Sequence, residues 1–197
     1  MKYFFDTEFI ENGSTIDLVS IGIITGDSRE FYAQNQECDW SLANDWVARN
    51  VLIHLSEFDM GRRMPANYSK HGEVFDSNQT GGWWRQSGIW RKRHEISKDI
   101  LAFVGFPETE GYGKPEFWAY YADYDWVVLC QLYGTMMDLP EGWPMYCRDI
   151  KQFCDDLGNP KLPEQEEDEH HSLADARWNK KAFEFLERYA SSQTNQR

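Results

Sequence analysis

Asp6 and Glu8 stand two residues apart in Lys2-Tyr3-Phe4-Phe5-Asp6-Thr7-Glu8-Phe9, an otherwise apolar run near the N-terminus. If the run is a strand, side chains alternate between faces and the two carboxylates point the same way. Two anions held side by side away from water are unfavourable unless a cation neutralises them. A divalent metal is the simplest such cation, and oxygen-only ligands suit magnesium or manganese better than zinc. Acids fill 33 of 197 positions, so an acid-x-acid pattern arises by chance roughly five times. The apolar setting of Asp6 and Glu8 is what separates them from the chance occurrences.

Two further acids occupy matched places. Asp125 follows the aromatic run Phe117-Trp118-Ala119-Tyr120-Tyr121, where a strand gives way to a helix, and Asp175 opens the last helix in His170-His171-Ser172-Leu173-Ala174-Asp175. Strand C-terminal ends and helix N-terminal turns are where α/β proteins place their ligand sites. Each acid has a plainer reading. Asp123 and Asp125 suit a helix N-terminus as acids do, and Ser172-x-x-Asp175 is also a capping-box pattern. On a helical wheel Asp175 shares a side with Ala182, Phe183 and Leu186, so it is expected to face a sheet.

The elements that must position these residues follow from pattern. Residues 2–9, 15–25 and 31–33 read as three strands joined by turns at Asn12-Gly13 and Gly26-Asp27, hence an antiparallel meander. Ser41–Asn50 reads as a short helix with Ser41 near its cap, inside an irregular insertion over 36–93. Ile96–Gly105 has helical spacing, ended by Gly105 and Pro107. Phe117–Tyr121 reads as a buried parallel strand, followed by a helix from Asp123 to Tyr133. Met145–Cys147 is expected as a further strand, then a helix over Asp149–Leu157, and a last helix from Ser172 to Ala190. The reading is one domain over 1–190 with a flexible tail over 191–197. The fold class is α/β, a mixed sheet with helices on both faces.

A net charge of −13 argues against indiscriminate duplex binding, which needs many Lys and Arg contacts to phosphate. It leaves room for a nucleic-acid enzyme whose bound cations reverse the local field. Trp83–Lys98 carries Arg85, Arg91, Lys92, Arg93 and Lys98 among Trp83, Trp84 and Trp90, with Glu95 as its one acid. Basic and aromatic residues interleaved in this way suit single-stranded nucleic acid, or equally a solvated helix face or subunit contact. Cys38, Cys130, Cys147 and Cys154 lack zinc-finger spacing, and no run suits a signal peptide or a membrane span. A cytoplasmic protein with reduced thiols is expected.

The ordered set of acids and histidine resembles the DEDDh class of 3′–5′ exonucleases on the ribonuclease-H-like fold. Asp6 and Glu8 match its first motif, Asp125 its second, and His170 with Asp175 its third. Phe5-Asp6-Thr7-Glu8-Phe9-Ile10-Glu11-Asn12-Gly13, Trp118-Ala119-Tyr120-Tyr121 through Asp125 and Cys130-Gln131-Leu132 resemble the mycobacterial polyadenylate-specific exoribonuclease family. Trp83-Trp84-Arg85-Gln86-Ser87 is similar to the exonuclease-VIII-like branch. The chain departs from the class in His-His-Ser-Leu-Ala-Asp-Ala, where Asn and Ala usually follow the first His, so His171 competes with His170.

The resemblance implies two Mg²⁺ or Mn²⁺ ions among the four carboxylates. Asp6 would bridge them, Glu8 and Asp175 would hold the nucleophile-side ion, and Asp125 would support the other. It implies His170 as general base and release of nucleoside 5′-monophosphates from the 3′ end of single-stranded RNA. Removal of a terminal nucleotide needs a wedge, for which Phe9 and Ile10 are the candidates, Phe9 being equally suited to the core. Glu11 suits either a ribose hydroxyl or a solvated turn, and Arg85 and Arg91 are the candidates for the substrate path. The resemblance also implies a homodimer; the lack of a long apolar run, separately, leaves no membrane partner expected. Rival readings are an exonuclease on single-stranded DNA, an internally cleaving ribonuclease-H-type enzyme, and an inactive nucleic-acid-binding scaffold.

Overall fold

The computed structural model describes residues 1–55, 89–105, 114–165 and 169–194. β1 (Lys2–Glu11), β2 (Ile16–Thr25) and β3 (Glu30–Asn35) form the expected antiparallel meander. Three short strands complete a six-stranded mixed sheet: β4 (Trp90–Arg91), β5 (Glu116–Ala119) and β6 (Arg148–Asp149), in the order β4-β3-β2-β1-β5-β6. β4 pairs parallel with β3, β5 with β1, and β6 with β5.

Side-chain alternation along β1 divides the core. Tyr3 and Phe5 pack with Ile96 and Ile100 of α2 (Arg93–Val104) and with Trp126 and Leu129 of α3 (Asp123–Gln131). Phe4 points the other way, to Ile150 and Cys154 of α4 (Ile150–Asp156) and to Phe183 and Leu186 of α5 (Ser172–Thr194). Ile10 and Val19 seat a smaller cluster under α1 (Asp45–Asn50) through Val47, Val51 and Leu52. The arrangement fits a ribonuclease-H-like exonuclease fold. No helix among the described residues is long and apolar enough to cross a membrane.

Several expected boundaries move, each for a local reason. α1 starts at Asp45, not Ser41, because the Asn44 side chain accepts from Val47 N–H at 2.9 Å and caps it. Ser41 instead bonds Asp39 in a preceding 3₁₀ turn. The strand expected at Met145–Cys147 lies at Arg148–Asp149, and β4 had no counterpart in the sequence pattern. Two-residue strands are too short to show alternation. α2 stops at Gly105, whose φ of +67° is a left-handed cap that glycine adopts without strain. α5 continues through Ala190 to Thr194 rather than fraying at 191, its last hydroxyls bonding back to carbonyls of the preceding turn.

Candidate active site

The centre of the site is built on the even face of β1. Asp6 lies opposite Gly22 and Glu8 opposite Ser20, just before a register shift that leaves Val19 bulged. Bulges at such positions re-aim side chains. α5 enters over these residues. The Ser20 and Ser172 hydroxyls meet at 3.0 Å, and Asn179, one turn beyond Asp175, donates from Nδ2 to the Phe5 carbonyl at 2.9 Å. The result brings carboxylate oxygens of Asp6, Glu8 and Asp175 within 4.8 Å of one another, a set able to hold a metal ion.

Asp125 arrives from the opposite face. β5 pairs only with Lys2–Phe4, so among the described residues no strand pairs with the next part of β1 on that edge. Two side chains take the backbone groups left there. Asn179 serves the Phe5 carbonyl, and the Asp125 carboxylate accepts from Thr7 N–H at 2.8 Å and from the Thr7 hydroxyl at 2.6 Å. Asp123 is exposed while Asp125 is 6% exposed, so only the second acid of that turn faces inward. The turn itself is fixed by Asp149, whose carboxylate accepts from Ala122 N–H and caps α4 at Gln152 N–H.

Like charge without a cation governs the electrostatics. Among the described residues, no lysine or arginine is paired with any of the four carboxylates. Burial, then the charges of Asp125, Glu8 and Asp175, hold the Asp6 carboxyl well above the usual range. Burial and the neighbouring Asp175 do the same for Glu8. Burial pushes Asp125 up to about 6, against the lowering effect of the Thr7 bonds. Burial also raises Asp175, opposed by a hydrogen bond from Gln165 Nε2 (2.5 Å) and by the nearby His170. Four acids that resist ionisation together are what a bound divalent cation would relieve, and the all-oxygen donor set fits a hard ion.

The two histidines divide. His171 caps α5: its carbonyl accepts from Asp175 N–H, its Nδ1 faces Ala174 N–H at 3.4 Å, and its ring stacks on Tyr32 at 4.8 Å. That leaves Ser172, expected as the cap, turned to Ser20 instead. His170 sits at φ +68° and presents its ring edge-on to Trp46.

Among the substrate-binding candidates, half-buried Phe9 stacks on Tyr124 at 5.8 Å with an interplanar angle of 19°. Ile10 is 2% exposed and belongs to the cluster under α1, so the expected wedge at that position is corrected to a core residue. Glu11 is exposed and accepts from Gly13 N–H, a turn-closing bond. Arg91 lies on the edge strand β4, three strands from β1, in an ion pair with Asp99 at 2.8 Å. Trp90 beside it is buried, not presented to a ligand. Trp83, Trp84 and Arg85 lie outside the described residues. Sequence reasoning missed Thr7, Asn179, Gln165 and Asp149, for which a lone polar residue gives no spacing signal.

Fold and site together define an α/β protein with a carboxylate cluster, between β1 and the first turn of α5, fit for a divalent cation. Residues 1–186 match the family model described as the 3′-5′ exoribonuclease Rv2179c-like domain. The chain is 36% identical over 186 residues to the 3′-5′ exoribonuclease Rv2179c of Mycobacterium tuberculosis H37Rv, covering 94% of this chain and 93% of that protein. A 3′-5′ exoribonuclease of the CDC 1551 strain matches to the same extent. The chain belongs to the Rv2179c-like exoribonuclease family.

Proposed function

We propose that this chain hydrolyses single-stranded RNA from its 3′ end, one nucleotide at a time, as a DEDDh-class exonuclease releasing nucleoside 5′-monophosphates. The convergence of Asp6, Glu8 and Asp175 carries the reading, because residues from the two ends of the chain meet with oxygen donors only. The relatives named as exoribonucleases support RNA as the substrate.

Asp6, Glu8 and Asp175 would hold magnesium or manganese directly, with Asp125 supporting a second ion. Bound there, such ions supply positive charge to the phosphate and leaving oxygen and lower the pKa of the attacking water. The chain's own groups do the rest. Thr7 and Gln165 orient Asp125 and Asp175 through the bonds described above. His170 takes the proton of the attacking water, a role worth ~10²–10⁴-fold in rate. Oxygen attack on phosphorus then releases the 3′ oxygen of the shortened strand. The capping and stacking of His171 support His170 as the base, because they leave His171 committed to the helix. The Phe9–Tyr124 stack follows Glu8 and precedes Asp125 in sequence, and the 58% exposed Tyr124 ring offers a sequence-tolerant platform for the terminal base.

Digestion of 5′-labelled RNA and DNA of one sequence, with manganese and with EDTA, tests the proposal. A ladder shortening from the 3′ end of RNA, abolished by EDTA, is expected. Internal fragments, or preference for DNA, would replace it with one of the rival nuclease readings. Binding without release under manganese would make the chain a scaffold. His170→Ala is expected to stop turnover while manganese still binds; a dead His171→Ala with active His170→Ala would reverse the assignment.

A further inference from the structure

We propose that Trp46 is a positioning residue for His170, holding its imidazole toward the acids. The inference rests on the reading of His170 as the proton acceptor. Trp46 sits on α1, a helix anchored from below by Val47, which is buried with Val51, Leu52, Ile10 and Val19. The indole itself is 55% exposed, so the core does not account for it. Its ring meets the His170 ring at a centroid distance of 5.0 Å and an angle of 76°, the edge-to-face geometry that aromatic quadrupoles favour.

His170 needs such a support. Its φ of +68° is a left-handed conformation uncommon for a residue with a β-carbon. His170 is near enough to the Asp175 carboxylate to act on it electrostatically. That proximity does not fix the ring, which would otherwise be free to exchange among staggered rotamers. Contact with α1 removes that freedom and keeps the ring nitrogen near the place where a water must lose its proton. Orientation of a catalytic group is a rate effect, because the fraction of molecules ready to react multiplies kcat. An indole that instead stacked a nucleobase would be a binding effect and would move KM.

The experiment compares Trp46→Ala, Trp46→Phe, His170→Ala and the Trp46→Ala/His170→Ala double variant. It measures kcat and KM on a labelled oligoribonucleotide, with thermal midpoint and manganese binding followed in parallel. Trp46→Ala is expected to lower kcat about tenfold with KM and manganese affinity unchanged. Trp46→Phe should restore most of the rate, and Trp46→Ala should cost nothing further when His170 is already absent. A raised KM with unchanged kcat, or the same loss on both backgrounds, overturns the proposal. His170→Ala with wild-type turnover overturns the general-base reading and the role of Trp46 with it. An inactive His170→Ala beside a fully active Trp46→Ala overturns the role of Trp46 alone. Should Trp46→Ala fail to fold, Trp46→Phe and Trp46→Leu decide: the aromatic variant keeps kcat and the aliphatic one loses it, or the proposal fails.

Discussion

A β-carbon on Gly22 would stand 2.4 Å from the Cα of Leu173 and equally close to the Ser172 carbonyl. Gly22 is also the residue directly opposite Asp6 in the β1–β2 ladder. The missing side chain therefore lets the first turn of α5 descend onto the sheet beside Asp6, and Asp175 comes down with it. Glycine is required here for space, because helix backbone cannot swing aside as a side chain can.

Gly22→Ala is expected to lift the start of α5 and separate Asp175 from Asp6 and Glu8. Overpacking of this kind costs about 1–3 kcal/mol, seen as a lowered thermal midpoint. Manganese affinity by calorimetry should fall as well, and turnover with it. A variant with wild-type manganese affinity would show that the close approach does not set the site.

The raised carboxyls make metal-free stability fall as pH rises. A folded acid with a raised pKa binds protons that the unfolded chain has already released, so the slope is negative between the two values. For Asp125 the window runs from the ordinary 3.8 to about 6, on the order of 3 kcal/mol at full effect. Asp6, Glu8 and Asp175 act in the same direction. In EDTA the thermal midpoint should be highest near pH 4 and decline toward neutrality, and saturating magnesium or manganese should remove the decline. A flat profile without metal would contradict the clustering of the four acids.

Thr7→Val keeps the shape of the side chain and deletes the hydroxyl that donates to Asp125. Loss of a hydrogen bond to a charged group costs about 1.5–3 kcal/mol. Turnover should fall, with its acidic limb shifted to higher pH because the Thr7 bonds are what lower Asp125. Thr7→Ser should behave nearly as wild type. Unchanged stability and pH profile in Thr7→Val would show that the backbone bond alone holds Asp125.

Asn179→Leu leaves the Phe5 carbonyl buried without its donor. Unsatisfied buried groups cost about 1–3 kcal/mol, read as a shifted urea midpoint. Hydrogen exchange should quicken along β1 near Asp6. A neutral urea midpoint would mean that water replaces the amide.

His171→Ala removes a helix cap, worth about 0.5–2 kcal/mol, while turnover is retained. His171→Asn, which restores an acceptor, should recover the stability. Lost turnover in a folded His171→Ala would move the base role to this residue.

The antiparallel meander was legible in the chain because alternation and turn residues are local properties. So was the helical spacing of α2 and α5, and the inward side of Asp175 followed from its phase with Phe183 and Leu186. The four carboxylates could be picked out by type and order. β4 could not, and β6 was expected a few residues early, since two-residue strands exist only through their neighbours' hydrogen bonds.

Sequence by itself determined which acids are available, on which strand face Asp6 and Glu8 project, and the family to which the chain is similar. Tertiary structure alone decided that Asp125 rather than Asp123 turns inward, that His171 is spent on capping, and that Ile10 belongs to the core. It also decided that Asn179 and Asp125 bond the backbone of Phe5 and Thr7 beyond the end of the β5 pairing. The physical reason is reach: a ladder end or a close helix approach depends on groups over a hundred residues apart. No local pattern in the chain encodes where such partners meet.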